Sequence, residues 1–197
     1  LLKTFNALLS IAQAESGVSR GRFEPIELDR VVHDVADLYG ALADERGVAF
    51  STSPMSKAIV NGDRHLLFQA ISNLVDNAVK FTPSGGQVSP TARKDEQQAL
   101  VVVADSGPGI PVEARARVLE RFVRLDASRG TPGSGLGLSL VAAVARLHDG
   151  TIELNDNSPG LRTVLRLPLA SASAAEAPLA RAVVHPNQTS PVIRAGG

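Results

Sequence analysis

The stretch Ser72–Asn73–Leu74–Val75–Asp76–Asn77–Ala78–Val79–Lys80–Phe81–Thr82 constrains this chain more than any other. It reads as the second half of a helix that opens near Asp63 and ends at Thr82–Pro83. Leu67, Ala70, Ile71, Leu74, Ala78 and Phe81 recur at helical spacing and make one apolar face, which must be laid against other structure. Asn73, Asn77 and Lys80 stand at i, i+4 and i+7, and at about 100° per residue they fall within roughly 60° of one another. Asparagine favours caps over helix interiors, so two on one stripe suggest a ligand. A carboxamide oxygen suits a hard cation such as Mg²⁺, and an ammonium suits a phosphate. A solvated polar face fits the same three residues, and the helix alone does not choose.

With 197 residues, the chain is long enough for one domain with a proper core plus extra pieces. Its 20 basic and 20 acidic residues cancel, which argues against a nucleic-acid surface or a polybasic membrane patch. The absence of cysteine excludes disulfide frameworks, thiolate metal sites and cysteine nucleophiles. No apolar run approaches the roughly 20 residues of a membrane span, and no signal-peptide pattern opens the chain. The first residue is leucine rather than methionine, so the expectation is a soluble, cytoplasmic fragment of a longer polypeptide.

Leu1 to Ser16 is expected to be a helix capped by Gly17, with Leu2, Phe5, Leu9 and Ala12 in heptad-like spacing and in need of a partner. Val18 to Phe23 looks like a linker. Pro25–Leu28 is a strand candidate, and Asp29 looks like the N-cap of a helix to Arg46 whose buried face is Val31, Val35, Leu38 and Leu42. Val48–Ser51, Ala58–Val60, Gln87–Arg93 and Ala99–Ala104 are further strand candidates. Pro90 makes the third of these weaker or places it at an edge, and the run Leu100 to Val103 suits a strand buried on both sides. Between Asp105 and Gly135 lies a long Gly-, Pro- and Arg-rich connection, with one helical stretch near Val112–Phe122, of the kind that often forms a lid. A helix from Ser134 to His148 and a hairpin of Thr151–Leu154 and Thr163–Leu167 follow. From Ala170 onward the Ala-, Ser- and Pro-rich chain reads as disordered.

Two glycine stretches carry chemistry. Asp105–Ser106–Gly107–Pro108–Gly109–Ile110 follows the buried strand directly, and a carboxylate there can accept from an exocyclic amine such as that of adenine. Glycines beside it let a flat ring approach the backbone. Gly133–Ser134–Gly135–Leu136–Gly137–Leu138 opens the last helix, where free backbone N–H groups and the macrodipole favour phosphate. A dinucleotide fingerprint needs a preceding strand and a βαβ unit, and a Walker loop needs Gly-Lys-Ser/Thr; neither is present. Arg121, Arg124 and Arg129 lie between the two stretches as candidates for phosphate contact.

In this order, these stretches closely resemble the ATP-binding domain of sensor histidine kinases, a relative of the gyrase-type ATPases. Asn73, Asn77 and Lys80 match the N box, Asp105, Gly107 and Gly109 the G1 box, Glu120–Arg121–Phe122–Val123–Arg124 the F box, and Gly133, Gly135 and Gly137 the G2 box. Gly160–Leu161–Arg162–Thr163 resembles the family's Gly-x-Gly-Thr region with an altered middle, and Leu119 stands where the F box often begins with Phe. The resemblance covers residues 1 to 169. It implies an α/β (α+β) two-layer sandwich, with a mixed, mostly antiparallel sheet on three helices, an ATP lid, and one preceding bundle helix.

The resemblance further implies cofactors ATP and Mg²⁺. Asn77 would ligate the metal, Asn73 would add a polar contact, Lys80 would reach a phosphate, and these three would be the catalytic set. Asp105 would bind the adenine amine, and Gly107, Gly109, Ile110, Phe122, Arg124, Gly133, Ser134, Gly135, Leu136, Gly137, Leu138 and Thr163 would complete the nucleotide site. Hydrolysing relatives place a Glu four residues before the metal-binding Asn. Here that place is Asn73, which cannot act as a base near neutral pH, so transfer to a protein side chain is expected over hydrolysis.

Residues 1–20 resemble the second helix of a dimerisation hairpin plus linker, 21–169 the catalytic domain, and 170–197 a tail. The implied partners are a second copy, through the hairpin, and the receiver domain of a response regulator, with no nucleic-acid or membrane contact by this segment. Anchoring of the full protein in the inner membrane would come from upstream. The acceptor histidine of the family's His-Asp/Glu-x-x-Thr/Asn-Pro motif is absent. His33 has Asp34 after it but lacks the rest, His65 opens the N-box helix, His148 ends a helix where a cation is mildly favoured, and His185 is in the tail. A serine-kinase anti-sigma regulator and a degenerate nucleotide-binding module are the alternative readings; the leading heptad helix speaks against the first, and the intact boxes against the second.

Overall fold

A helix with one strongly apolar face needs a flat apolar partner, and here the partner is a sheet. The computed structural model describes residues 2–125 and 133–170. Three helices, α2 (Leu28–Glu45), α3 (Arg64–Phe81) and α4 (Gly137–Leu147), lie on one face of that sheet, and a leading helix α1 (Leu2–Ser16) packs outside them against α4. The strands are β1 (Glu24–Glu27), β2 (Ala49–Phe50), β3 (Ile59–Gly62), β4 (Gln87–Lys94), β5 (Gln98–Asp105), β6 (Thr151–Asp156) and β7 (Leu161–Pro168). Five of them form the main sheet in the order β2-β4-β5-β7-β6, antiparallel except for the parallel β2–β4 pair. The antiparallel pair β1–β3 is separate. The expected mixed, mostly antiparallel two-layer sandwich is therefore the fold observed.

Alternation decides which strand residues meet the helices. Ala99, Val101 and Val103 of β5, with Leu165 and Leu167 of β7, join Leu67, Ala70, Ile71 and Leu74 of α3 in one continuous core. Val102 points the other way and is also buried, but Leu100 and Ala104 on that face are only half-buried, so the second face of β5 is covered in part and not throughout as expected. Pro90 sits in β4 at a place that tolerates it. The carbonyls of Val88 and Ala92 face the β2 side, so position 90 faces there too, and β2 pairs only with Gln87 and Val88. No ladder bond is lost.

Several local expectations need correction. Helix α2 opens at Leu28, not after Asp29, because Leu28 N–H already bonds Ala58 O; Asp29 instead accepts from Ala58 N–H at 3.3 Å. Its buried stripe runs through Val31, Val32, Val35, Ala36 and Ala43, leaving Leu38 61 % exposed. Phe81, at the end of α3, is half out of the core at 36 %. The stretch near Val112–Phe122 makes two 3₁₀ turns, Val112–Ala114 and Arg117–Leu119, rather than a helix, since only Val118 in them is buried. The linker after α1 is ordered as a 3₁₀ helix, Val18–Arg22. Helix α1 buries Ile11 and Ala14 on α4, while Phe5 and Leu9 of the heptad stripe face outward. The expected disorder after Ala170 and His185 lie outside the described residues. Among those described, no helix is long and apolar enough to cross a membrane.

Helix α3 begins where the sequence suggests: Asp63 accepts from Leu66 N–H at 3.1 Å, an N-cap. Its own N–H donates to Nε2 of His148 at 3.0 Å, while Nδ1 of that ring donates to Val144 O at 2.8 Å. The two bonds require a neutral imidazole, so this histidine ties the end of α4 to the start of α3 instead of serving there as a cation. Its ring also stacks on Phe23, with centroids 4.7 Å apart. Burial pushes the His148 pKa below its ordinary value and Arg20 adds to this, against Val144 O, Asp63 and Asp149. The unfolded chain therefore binds a proton in a range where the folded chain does not, and stability falls as pH drops below about 6.5. Thermal melts between pH 7.5 and 5.5 should show Tm decreasing, and His148→Gln should lower Tm at neutral pH while flattening that decrease. An undiminished pH slope in the variant would assign the effect elsewhere.

Candidate functional site

With its apolar face on the sheet, α3 turns its polar stripe toward the N-terminus of α4. Between them lies a cavity of about 580 Å³, inside the usual range for small-molecule sites. Asn73, Asn77 and Lys80 line it together, as the helical spacing requires. Asn73 Nδ2 donates to Gln69 O at 2.8 Å, which directs Oδ1 toward Gly137; a Cβ added there would lie 3.1 Å from that oxygen. Asn77 is half-buried, and its carboxamide has no hydrogen-bond partner among the described residues. Lys80 stands over the Phe81 ring at 5.1 Å. Burial lowers its pKa, the Asp76 carboxylate raises it, and Arg124 and Arg46 lower it further. Asp76 also acts on Tyr39 of α2, whose hydroxyl is pushed up to about 12, chiefly by burial.

The far wall is the glycine-rich entry to α4. Gly133, Ser134, Gly135, Gly137 and Leu138 line the cavity, and no side chain caps the first turn of the helix. Its leading N–H groups thus point at the cavity with the positive end of the macrodipole behind them. Gly135 has φ 72° and its carbonyl accepts from Phe122 N–H at 3.0 Å. A Cβ at that position would stand 2.9 Å from the Phe122 carbonyl carbon, so glycine permits the two segments to meet. Arg124 joins the same segments, donating from Nη1 to Gly133 O at 2.9 Å.

Asp105 closes the other end. It terminates β5, is buried, and its Oδ1 accepts from Gly107 N–H at 2.8 Å and Leu161 N–H at 3.2 Å. Burial raises its pKa while these two bonds lower it. Oδ2 makes no hydrogen bond among the described residues. Val103, Thr163, Leu161, Pro108, Gly109 and Ile110 supply the wall beside it, largely apolar and able to take a flat heterocycle. The cavity thus has a ring-accepting end with one carboxylate and an anion-accepting end with an ammonium, a guanidinium and a helix N-terminus. A nucleoside triphosphate has that polarity.

The donor set also bears on a metal. Among the described residues no group of three His, Asp or Glu could hold a cation. An ion here would depend on phosphate oxygens, water and one neutral carboxamide, which suits Mg²⁺, an ion that keeps its waters and binds through substrate phosphates. The unpartnered amide of Asn77 fits that role.

Most residues singled out from the sequence converge on the cavity, and four are placed differently. Gly107 uses its N–H on Asp105 instead of lining the cavity. Leu136 is fully buried as the residue before α4, Phe122 is 60 % exposed, and Arg121 pairs with Glu15 of α1. Arg129 lies outside the described residues. Thr4 and Ala7 of α1 line the cavity without any local signal, because helix docking brings them there. Asp76 could have been found from its i, i+4 relation to Lys80.

Residues 62–171 match the family of histidine kinase-, DNA gyrase B- and HSP90-like ATPases. The signal transduction histidine-protein kinase/phosphatase MprB of Mycolicibacterium smegmatis is 47% identical over 102 residues, covering 51% of this chain and 21% of that protein. A solved structure of a mycobacterial sensor histidine kinase MprB superposes with TM-score 0.65 at 32% identity, covering 75% of this chain and 97% of that one. The crystal structure of the ATP binding domain of PrrB from Mycobacterium tuberculosis gives TM-score 0.57 at 35% identity, with 76% and 98% covered. The chain spans only 12% to 40% of the full length of such curated relatives. A cavity with a carboxylate at its ring end and glycine-held N–H groups at its anion end, in a fold shared with these proteins, places the chain among the sensor histidine kinases of that ATPase family.

Proposed function

We propose that this chain is the ATP-binding catalytic part of a two-component sensor histidine kinase, which moves the γ-phosphoryl group of ATP to a histidine of the same protein outside residues 1–197. The observation that carries the reading is the single cavity in which the α3 stripe, the N-terminus of α4 and Asp105 meet. Phosphoryl transfer asks a protein for positioning and charge neutralisation more than for covalent chemistry. In this reading Asp105 Oδ2 accepts from the adenine amine, the N–H groups entering α4 hold the phosphates, and Lys80 and Arg124 neutralise them. Asn77 would hold a Mg²⁺ ion, which would supply positive charge against the phosphates. The bond from the γ-phosphorus to the ADP oxygen breaks as one to an imidazole nitrogen forms, and that ring gives up a proton.

Asn73 supports transfer over hydrolysis. Its Oδ1 faces Gly137, and a carboxamide cannot take a proton from water near neutral pH. In the same reading, residues 1–20 end a dimerisation hairpin, 21–169 form the catalytic domain and 170–197 a tail. The outward Phe5 and Leu9 support a helical partner for α1 in a homodimer. The phosphoryl group would pass to an aspartate in a response-regulator receiver domain, with the chain on the cytoplasmic side of any upstream anchor in the inner membrane.

Calorimetry should show ATP binding that strengthens with Mg²⁺, and Asn77→Ala should weaken the Mg²⁺-dependent part at least about tenfold, or ~1.4 kcal/mol, with Tm unchanged. Equal affinity with and without the side chain would remove Asn77 from the metal site. When the full-length protein is incubated with γ-labelled ATP, the label should be acid-labile and base-stable, as on histidine, and should be lost with Asn77→Ala. An acid-stable label on serine would point to the anti-sigma class instead.

A further inference from the structure

The turn between β6 and β7, with Leu161 that follows it, holds Asp105 at three points. Asn157 Nδ2 donates to Asp105 O at 2.8 Å. Leu161 N–H donates to Asp105 Oδ1 at 3.2 Å. Gly160, at φ 113°, lies so close that a Cβ would come within 1.8 Å of Asp105 O, and a Cβ at Gly109 would stand 2.9 Å from Gly160 O. Asn157 N–H also donates to Gly160 O at 3.2 Å, so the turn is closed on itself before it reaches the strand end. The Asn157 carboxamide is the only side chain that the turn contributes to these contacts; its other groups are backbone, whose position depends on where the turn is held.

We infer that Asn157 is a positioning residue that sets the base preference of the nucleotide site. By tying the turn to the Asp105 carbonyl it delivers Leu161 N–H to Oδ1. Gly107 N–H occupies that same oxygen, so Oδ1 carries two donors and the carboxylate cannot rotate without breaking both bonds. Oδ2 is left as the one acceptor, in a fixed direction. A purine with a 6-amino group presents a donor to it. A purine with a 6-oxo group presents an acceptor there, and its donor has moved to N1–H, which a fixed Oδ2 does not reach. When the turn is released, the carboxylate gains rotation and can swing to N1–H, and the discrimination weakens. Asn157 is an exposed residue and is not among those that line the cavity.

This inference rests on the assignment of Asp105 to the adenine amine, and one set of titrations tests the two separately. The affinities of the 197-residue chain for ATP, for inosine triphosphate and for inorganic tripolyphosphate, all with Mg²⁺, are measured for the unaltered protein, Asn157→Ala and Asn157→Asp. Both substitutions remove the donor, and the second keeps the size of the side chain. The expected result is a fall in the ATP to inosine triphosphate ratio, on the order of fivefold for one lost hydrogen bond, with tripolyphosphate affinity and Tm unchanged. A ratio equal to that of the unaltered chain in both variants overturns the role of Asn157, as does a uniform loss across all three ligands. If the unaltered chain does not prefer ATP to inosine triphosphate, the assignment of Asp105 itself fails, and this inference with it.

Discussion

The roll of α3 about its own axis is set by burying Leu67, Ala70, Ile71 and Leu74 against β5 and β7, and the nucleotide end of the molecule inherits that angle. Each residue step turns the helix by about 100°, so a one-residue error would bury the stripe of Asn73, Asn77 and Lys80 or turn it to water. Full burial of a large aliphatic side chain stabilises by about 1.5–3 kcal/mol, and several such side chains act in concert on α3. Nothing in the polar stripe competes with that. Its residues are placed by what the opposite side of the helix does, and Asp63 with His148 pins the helix start so that it cannot slide.

The opposing wall is held by different means. Glycines let the lid segment and the entry to α4 approach within hydrogen-bonding distance, as Phe122 with Gly135 and Arg124 with Gly133 show. The first is a backbone pair, and the second runs from a guanidinium to a backbone carbonyl. By contrast, Asp105 is tied into the sheet end and the β6–β7 turn, which suits a rigid reader of a base. In the proposed reaction, the rigid end fixes where the nucleotide sits and the glycine end fixes where its charge goes.

Much of this was legible because it repeats at short range. The period of the α3 apolar face, the cap at Asp63, the continuous apolar run in β5 and the two glycine stretches each announce themselves within about ten residues. Where prediction and structure part, a distant contact decided the local question. Leu28 N–H bonds Ala58 O and so starts α2 before Asp29. His148 loses its cationic character to burial under Phe23 and to the Asp63 N–H. The stretch near Val112–Phe122 lacks the buried face that would make a helix worthwhile, and it settles into 3₁₀ turns.

By itself, the sequence determined most of the elements and the chemical kinds of group that meet at the site, because periodicity and motif spacing are properties of contiguous residues; the fold class followed from the resemblance that those motifs carry. Tertiary structure alone decided that Thr4 and Ala7 of α1 reach the cavity, that Leu136 is buried while Phe122 faces out, and that Asn157 grips Asp105 from 52 residues away. These depend on how helices dock and which turn falls behind which strand end. Such facts arise from packing between segments far apart in the chain, and no local pattern encodes them.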